Sequence, residues 1–279
     1  MINQRFIPCA TLLLLTAYVV CDATAWGDPP IVNDAPRPHV AAPLAKTTPL
    51  ITAAADDPAW NDAAAIPINT PSLSNSPPPP IPIPGTEVRV MWDPAWLYVR
   101  FLCKDDHPYL PPHNPGDPIY TGDVVEVFID PVGDCREWVE VELNAASESY
   151  DQLTLCTGEP KWDATLHLNG DVIARDIWVF PHESLKEMRH AAAPWTINGQ
   201  TVGWIVDVAI PASGLLKRTG LKKFQAMSLH GDFLRYKTVP QPTGTKRDFL
   251  SLTWSPITLG NPHRCPAAFG IIDLDATPK

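Results

Sequence analysis

Short segments in which apolar and polar residues alternate recur along most of this chain. The clearest is the segment 138–144, where valine or leucine occupies every second position and Trp138, Glu140 and Glu142 lie between them. A period of two is typical of a β-strand that buries one of its faces. The sequence therefore predicts an all-β fold in which each strand contributes one face to a shared core.

Turn residues divide the chain into several such strands. Segments 87–92 and 96–102 flank an Asp-Pro turn and predict a hairpin, and segments 124–129, 138–144 and 149–155 predict an antiparallel meander. Many short strands separated by Gly and Pro indicate a sandwich or a barrel. Later strands are expected at 165–168, 203–210, 227–234, 249–254 and 270–274, a helix-like segment at 182–193 and a single helical turn at 211–215.

Residues 1–25 have the composition of a signal peptide. A cationic residue precedes an apolar stretch at 7–20, and Ala-Thr-Ala at 23–25 provides the small residues that a signal peptidase prefers. We predict cleavage before Trp26 and a secreted or periplasmic protein. A lipid anchor on Cys21 is the alternative.

The remaining chain is acidic, with a formal charge of −10 for the full sequence. Such a charge is poorly suited to binding nucleic acid or anionic membranes. Beyond the leader, no apolar run reaches the roughly 18 residues that a membrane-spanning helix needs. Residues 26–47 contain several prolines and little periodicity, so we predict a flexible, proline-rich lead-in there.

Four cysteines lie outside the leader: Cys103, Cys135, Cys156 and Cys265. An even number in an oxidising compartment predicts two disulfides, and the sequence alone allows three pairings. The meander places Cys135 in its first turn and Cys156 at the end of its third strand, on the same edge. We therefore favour Cys135–Cys156 and, by exclusion, Cys103–Cys265.

Five sequence blocks in a fixed order carry a family resemblance. They are Asp-Pro-Ala-Trp at 57–60, the hairpin at 88–99, the Gly-Asp-Val-Val-Glu strand at 122–130, the Gly-Trp-Ile-Val-Asp strand at 203–211, and a closing pair, Thr-Trp-Ser-Pro at 253–256 with Ala-Phe-Gly at 268–270. Together they resemble the family 9 carbohydrate-binding modules and the wider DOMON-like group. The resemblance covers residues 48–275 and implies a two-sheet antiparallel β-sandwich with short helical insertions, which binds the ends of glycan chains without catalysis.

The resemblance also implies a set of sugar-binding residues. Members of this family hold a sugar between aromatic side chains while polar side chains bind its hydroxyls. By motif, Tyr120 corresponds to the first aromatic residue and Glu126 to an acid in the site. His263 stands where the family has its second aromatic residue, so a smaller ring takes that place. The polar partners correspond to His230, Arg247 and Asn261.

Glu126 lies in a strand that is otherwise apolar, so its carboxylate needs partners. The functional interpretation is an acceptor for sugar hydroxyls. The structural interpretation is an ion pair with Arg89 or Arg100. Glu140 and Glu142 alternate along one strand, which is typical of a solvated face, and a weak glycosidase that uses Glu126 with one of them is a further alternative.

We expect no cofactor, although two alternatives follow from the residues. Some DOMON-like sandwiches hold haem b, for which Met91, Met227, His230 and His263 are the candidate ligands. Two acidic pairs offer oxygens to calcium, although turn and cap chemistry is the favoured explanation of them. They are Asp56 with Asp57 and Asp105 with Asp106. Three tryptophans outside the motif blocks have no assigned role, namely Trp162, Trp178 and Trp195.

Overall fold

The computed structural model describes residues 37–72, 81–114, 116–156, 177–181, 185–240, 247–255 and 266–276. These residues form two β-sheets with a shared apolar core between them, which confirms the predicted two-sheet sandwich. None of the helices within these ranges is long and apolar enough to cross a bilayer.

The strands, in chain order, are β1 (His39–Pro43), β2 (Ala64–Pro67), β3 (Thr70–Pro71), β4 (Thr86–Trp92), β5 (Trp96–Cys103), β6 (Val124–Asp130), β7 (Glu137–Asn144), β8 (Ser149–Cys156), β9 (Ile177–Pro181), β10 (Arg189–Ile197), β11 (Gln200–Pro211), β12 (Met227–Pro240), β13 (Arg247–Thr253) and β14 (Gly270–Asp275). The predicted helical turn at 211–215 is confirmed as the short helix α1 (Ala212–Leu215). Single 3-10 turns lie at Pro58–Asp62, Lys217–Thr219 and Pro266–Ala268.

The larger sheet has the strand order β1, β14, β12, β6, β7, β8, β9. Its long strand β12 has β6 on one edge, and on the other edge β14 along its first half and β13 along its second half. The smaller sheet has the order β10, β11, β5, β4, β2. Neighbouring strands are antiparallel except β1 and β14, which are parallel. The predicted hairpin is β4–β5, and the predicted meander is β6–β7–β8.

The core consists of the apolar residues at alternate strand positions. In β6 these are Val125, Val127 and Ile129, and in β4 they are Val88 and Val90. Each such side chain stabilises the fold by roughly 1.5–3 kcal/mol when it leaves water. The other residues of β6, including Glu126, therefore point to the outer face of the larger sheet, away from the core.

The first strand lies within the segment 26–47 that the sequence predicts to be flexible. β1 runs parallel to β14, from His39 opposite Ile271 to Pro43 opposite Asp275, and Ala42 is buried in the core. The domain therefore begins before residue 48. Sequence patterns miss β1 because it is short and its partner strand lies at the other end of the chain.

The helix-like segment at 182–193 is a strand where it is described from Arg189 onward. β10 pairs with β11 from Arg189 opposite Ala209 to Ile197 opposite Gln200. Its alanine-rich composition favours a helix locally, but pairing with a neighbouring strand overrides that weak preference. The strand predicted at 165–168 lies outside the described residues.

A buried ion pair holds the chain before β2 to the outer face of the smaller sheet. Arg100 donates from Nε and Nη2 to the two carboxylate oxygens of Asp207, at 2.6 and 2.9 Å. The Trp60 ring stacks on this guanidinium, 4.6 Å from Cζ to the ring centre. The backbone N–H of Ala53 donates to Asp207 at 2.7 Å. The Trp of the Asp-Pro-Ala-Trp motif thus covers part of the outer face of the smaller sheet.

Candidate functional site

Three glutamates meet on the outer face of the larger sheet. Glu126 on β6 lies opposite Glu142 on β7, and Glu140 is two residues away on the same face. One carboxylate oxygen from each lies within 4.8 Å of the others. We call these residues the glutamate cluster. All three are at most 2% exposed, so the expectation that Glu140 and Glu142 form a solvated face is wrong.

Neighbouring groups donate hydrogen bonds to the glutamate cluster. The Gln152 side-chain amide on β8 donates to Glu140 at 2.6 Å and accepts from the Tyr150 hydroxyl at 3.0 Å. The backbone N–H of Ile119 donates to Glu142 at 2.8 Å. Such bonds are needed because burying a carboxylate without partners costs several kcal/mol. They tie the cluster to β8 and to the loop that precedes β6.

Two tyrosines beside the glutamate cluster keep their protons at neutral pH. Burial, followed by the charges of Glu142 and Glu140, raises the pKa of Tyr150 to about 12. Burial, followed by the charge of Glu126, raises the pKa of Tyr236 well above its usual value of 10. Phenol donors therefore stand next to carboxylate acceptors. That combination matches the hydroxyl groups of a sugar, which both donate and accept hydrogen bonds.

Tyr120 lies at the exposed rim of this group. Its side chain is 51% exposed, and its phenol is close enough to Tyr150 to contribute to the raised pKa of that residue. The preceding residue, Ile119, is buried against Val124 and Tyr150. An exposed ring on an anchored backbone suits packing against the apolar face of a sugar. The structure thus brings together two residues predicted from sequence, Tyr120 and Glu126.

The loop 104–123 that carries Tyr120 is fixed at its base by a buried charge network. Lys237 on β12 lies 2.7 Å from both Asp105 and Asp123, and Arg235 donates to Asp105 at 3.1 Å. Burial opposes ionisation of Asp105, but the hydrogen bond and charge of Lys237, and then the charge of Arg235, lower its pKa. Asp123 also accepts two backbone N–H groups, one from this loop and one from β12.

The acidic pairs considered for calcium have other partners. Asp105 belongs to the charge network, and Asp57 accepts the backbone N–H groups of Leu50 and Ala59, each at 3.0 Å. Turn and cap chemistry thus accounts for Asp57. Within the described ranges, the glutamate cluster is the group that brings three ligand-type atoms within 4.8 Å of one another. Its carboxylate oxygens are of the kind that calcium prefers.

His230 lies on the same face as the glutamate cluster but further along the sheet. It pairs with Asp130, four residues beyond Glu126 on β6, which is about 13 Å along the strand. Its Nδ1 lies 3.2 Å from Nη1 of Arg37. Gly133 has a φ of +75°, and a Cβ there would meet the His230 ring at 2.6 Å. The structure therefore places His230 apart from Tyr120 and Glu126.

The other predicted polar residues are only partly placed. Arg247 begins β13, where its backbone pairs with Pro240. Asn261 and His263 lie outside the described residues. Sequence reasoning missed Tyr150, Gln152 and Tyr236. The period of two along β8 would reveal the first two, whereas Tyr236 lies beyond the predicted end of its strand at residue 234.

The ion-pair alternative for Glu126 is wrong. Arg100 pairs with Asp207, and Arg89 Nε donates to Glu87 at 2.7 Å. Both arginines belong to the smaller sheet, on the opposite side of the core from the outer face that carries Glu126.

The candidate haem ligands do not converge among the described residues. Met91 packs with Trp60 and Tyr98 on the smaller sheet, whereas His230 lies on the outer face of the larger sheet. Met227 packs against the core between the two sheets. These three side chains therefore face three different environments.

The described cysteines Cys103, Cys135 and Cys156 form no disulfide bond. The predicted Cys135–Cys156 bond is thus not seen, although the meander does bring the two residues together. The Cys156 backbone N–H donates to the carbonyl of Arg136, at 2.8 Å. Burial raises the pKa of the Cys135 thiol to about 12, which disfavours the thiolate that disulfide formation requires. Cys265 lies outside the described residues, so Cys103–Cys265 stays a prediction.

Comparisons with known proteins agree with this architecture. Residues 51–154 match a family model described as carbohydrate family 9 binding domain-like. Within the sandwich, residues 51–154 are therefore similar to the family 9 carbohydrate-binding domains. The resemblance inferred from the five sequence blocks is thereby confirmed. A comparison with curated proteins finds no significant match.

Solved structures share the fold of the sandwich at low sequence identity. A candidate carbohydrate-binding protein from Bacteroides uniformis is 16% identical with a TM-score of 0.59, over 85% of this chain and 99% of that one. A family 9 carbohydrate-binding module from Caldicellulosiruptor kristjanssonii in complex with cellotriose is 16% identical with a TM-score of 0.52, over 86% and 95%. A family 9 carbohydrate-binding module from the same organism in complex with glucose is 17% identical with a TM-score of 0.51, over 86% of this chain and 97% of that one.

Proposed function

We propose that the family 9-like domain binds carbohydrate at the rim of the glutamate cluster, without catalysis, and that it recognises the ends of glycan chains. The observation that carries this proposal is the position of Tyr120, an exposed ring next to a buried group of carboxylates and protonated phenols. Two structures with the same fold contain cellotriose and glucose, which supports a saccharide as the ligand.

The chemistry of the rim suggests how each residue would act. Tyr120 would pack against the apolar face of the sugar, since an aromatic ring offers a large flat surface. Tyr150, whose own O–H is donated to Gln152, would accept from a sugar hydroxyl, and Tyr236 would donate to a sugar oxygen. Glu126, which is fully buried, would act from behind by keeping the phenol of Tyr236 protonated. Arg247, Asn261 and His263 would complete the site in this proposal.

The test is affinity electrophoresis and titration calorimetry against a glycan panel that includes cellotriose and glucose. We expect Tyr120→Ala to weaken binding by about tenfold, the scale of one aromatic contact, and Glu126→Gln to weaken it without unfolding the domain. Leu50→Ala, which also truncates an exposed apolar residue but lies elsewhere, is the matched control and should bind like wild type. If the folded wild-type protein binds no glycan of the panel, the proposal is wrong.

A glycosidase remains the second candidate because the glutamates do converge. Their oxygens lie within 4.8 Å of each other, near the roughly 5–5.5 Å that separates the two carboxyl groups of a retaining glycosidase. Against it, all three carboxylates are buried, which leaves little room for a sugar between them. Release of reducing ends from a bound glycan, abolished by Glu126→Gln, would favour catalysis over binding.

We also propose that the protein is exported and that residues 1–25 are removed. The support is the apolar stretch at 7–20 followed by Ala-Thr-Ala. Protein recovered from the medium or periplasm should begin at Trp26. A lipid-modified Cys21 at the N-terminus, found by mass spectrometry, would replace this proposal with the anchored alternative.

A further inference from the structure

A second pocket lies on the outer face of the smaller sheet, on the opposite side of the sandwich from the glutamate cluster. Its volume is about 380 Å³, and Trp195 on β10 lines it together with Leu102, Lys104, Glu87 and Arg89. Trp195 lies outside every motif block, so no role was predicted for it. Its side chain is half-buried, so part of the indole faces the pocket and solvent.

Gly203 lies beside Trp195, where β11 closely approaches the end of β5. It pairs with Trp195 across β10 and β11, and a Cβ at this position would meet the carbonyl oxygen of Cys103 at 1.9 Å. Only glycine fits such a close approach of two backbones. Gly203 therefore lets β11 lie directly against the end of β5, next to Lys104.

The opposite wall of the pocket is polar and held in place. Arg89 Nε donates to Glu87 at 2.7 Å, and its Nη1 donates to the carbonyl of Trp60 at 3.3 Å. Lys104 is anchored through its backbone N–H, which donates to the carbonyl of Gly85 at 2.9 Å. Trp195 thus lines the same pocket as two basic donors, Arg89 and Lys104, and one acceptor, Glu87. An aromatic ring with convergent polar groups suits a small polyhydroxylated ligand.

We infer that this pocket is a second saccharide-binding site, in which Trp195 packs against the apolar face of a sugar and Glu87, Arg89 and Lys104 bind its hydroxyls. The site goes beyond the function proposed above, since it shares no residue with the glutamate cluster. Two sites on opposite faces cannot hold one short oligosaccharide, because two sheets and the core separate them. The domain is therefore bivalent and joins two glycan chains.

The experiment separates the two sites by titration calorimetry with each oligosaccharide of the glycan panel, cellotriose included. The saccharide concentration is chosen to fill both wild-type sites while leaving a site weakened about tenfold mostly empty. At that concentration we expect two bound saccharides per wild-type molecule, one for Trp195→Ala, one for Tyr120→Ala, and none for the double variant. Trp178→Ala is the matched control, since Trp178 is an exposed tryptophan on β9 of the other sheet, and it should keep both sites. Thermal unfolding of each variant verifies its fold.

Lys104→Glu provides a second variant if Trp195→Ala does not fold, because Lys104 is exposed and the change adds an acid beside Glu87. It should remove the same site. Wild-type protein bound to an insoluble polysaccharide should capture added soluble glycan chains. Tyr120→Ala protein should capture none, because it has one site left. The inference is overturned if Tyr120→Ala alone removes all binding, or if Trp195→Ala and Lys104→Glu leave the number of bound saccharides unchanged. If Tyr120→Ala binds as many saccharides as wild type while Trp195→Ala binds fewer, the earlier proposal is overturned instead and this inference stands.

Discussion

Glu126 and Glu142 stand directly opposite each other on β6 and β7, with both carboxylates buried. Like charges in such opposed positions destabilise a sheet, by up to about 1 kcal/mol. Glu142 also accepts a hydrogen bond from the backbone N–H of Ile119 at 2.8 Å, which ties the preceding loop to the sheet. A pair that is unfavourable within the sheet thus holds the loop that presents Tyr120.

Substitutions of Glu142 should separate its charge from its role as an acceptor. Glu142→Gln keeps an oxygen for the N–H of Ile119, whereas Glu142→Ala leaves that buried donor without a partner, at a cost of about 1–3 kcal/mol. We expect the alanine variant to have the lower free energy of unfolding in urea. Equal stability of the two variants would show that the hydrogen bond to Ile119 contributes nothing.

Lys237→Met should destabilise the base of the loop 104–123. Lys237 lies 2.7 Å from both Asp105 and Asp123, and Asp123 is fully buried. Removing one partner from a buried ion pair costs about 3–5 kcal/mol. We expect a loss of this order in urea unfolding and weaker glycan binding, because the loop carries Tyr120. Lys223→Met, at an exposed lysine, is the matched control and should leave both properties unchanged.

A double-mutant cycle can measure how much the buried ion pair of Arg100 and Asp207 contributes to the free energy of unfolding. Arg100→Met leaves the carboxylate of Asp207 buried without its guanidinium, so a loss of about 3–5 kcal/mol is expected. Asp207→Asn in the Arg100→Met background should recover part of that loss, since the neutral amide is less costly to bury. A double variant no more stable than Arg100→Met would contradict this account of the pair.

Asp232 should make the stability of the domain fall as the pH rises towards neutrality. Burial raises its pKa to about 7 from 3.8, although Thr253 and the Ser255 backbone N–H donate to its carboxylate. The folded state therefore holds a proton that the unfolded chain releases above pH 3.8. The resulting stabilisation is full below that pH and is lost as the pH rises through about 7.

Asp232→Asn should remove this contribution, because the amide does not titrate in this range. The difference in free energy of unfolding between wild type and variant should favour wild type most at acidic pH and shrink up to about pH 7. A difference that stays constant between pH 4 and pH 8 would show that Asp232 does not bind a proton in the folded state.

The predicted Cys135–Cys156 disulfide can be tested by peptide mapping of exported protein with and without reduction. The cross-link would close a loop of some twenty residues, and a loop of that size is stabilised by about 3 kcal/mol in the chain-entropy model. Because the two thiols are unbonded in the structure and burial raises the pKa of Cys135 to about 12, we expect unlinked peptides and a midpoint of unfolding unchanged on reduction, for wild type as for Cys156→Ser. A linked peptide from exported protein would contradict this expectation. Unlinked peptides from oxidised, folded protein would rule the disulfide out.

The alternation along each strand determined much of this protein from sequence. It predicted β7 and assigned Val139, Val141 and Leu143 to the core, and it placed Glu126 on the face opposite Val125 and Val127. These assignments depend only on the geometry of an extended chain, in which successive side chains point to opposite faces. The resemblance carried by the five sequence blocks then predicted how these strands assemble into a two-sheet sandwich.

Tertiary structure alone decided which outer faces are covered. Nothing within β7 distinguishes a solvated Glu142 from a buried one, because its burial depends on Ile119 and the loop 104–123, which are remote in sequence. The same holds for β1, whose partner is the last strand, and for β10, where pairing with β11 overrides an alanine-rich composition. Local sequence fixes the direction of a side chain, whereas its surroundings depend on which distant segments pack against it.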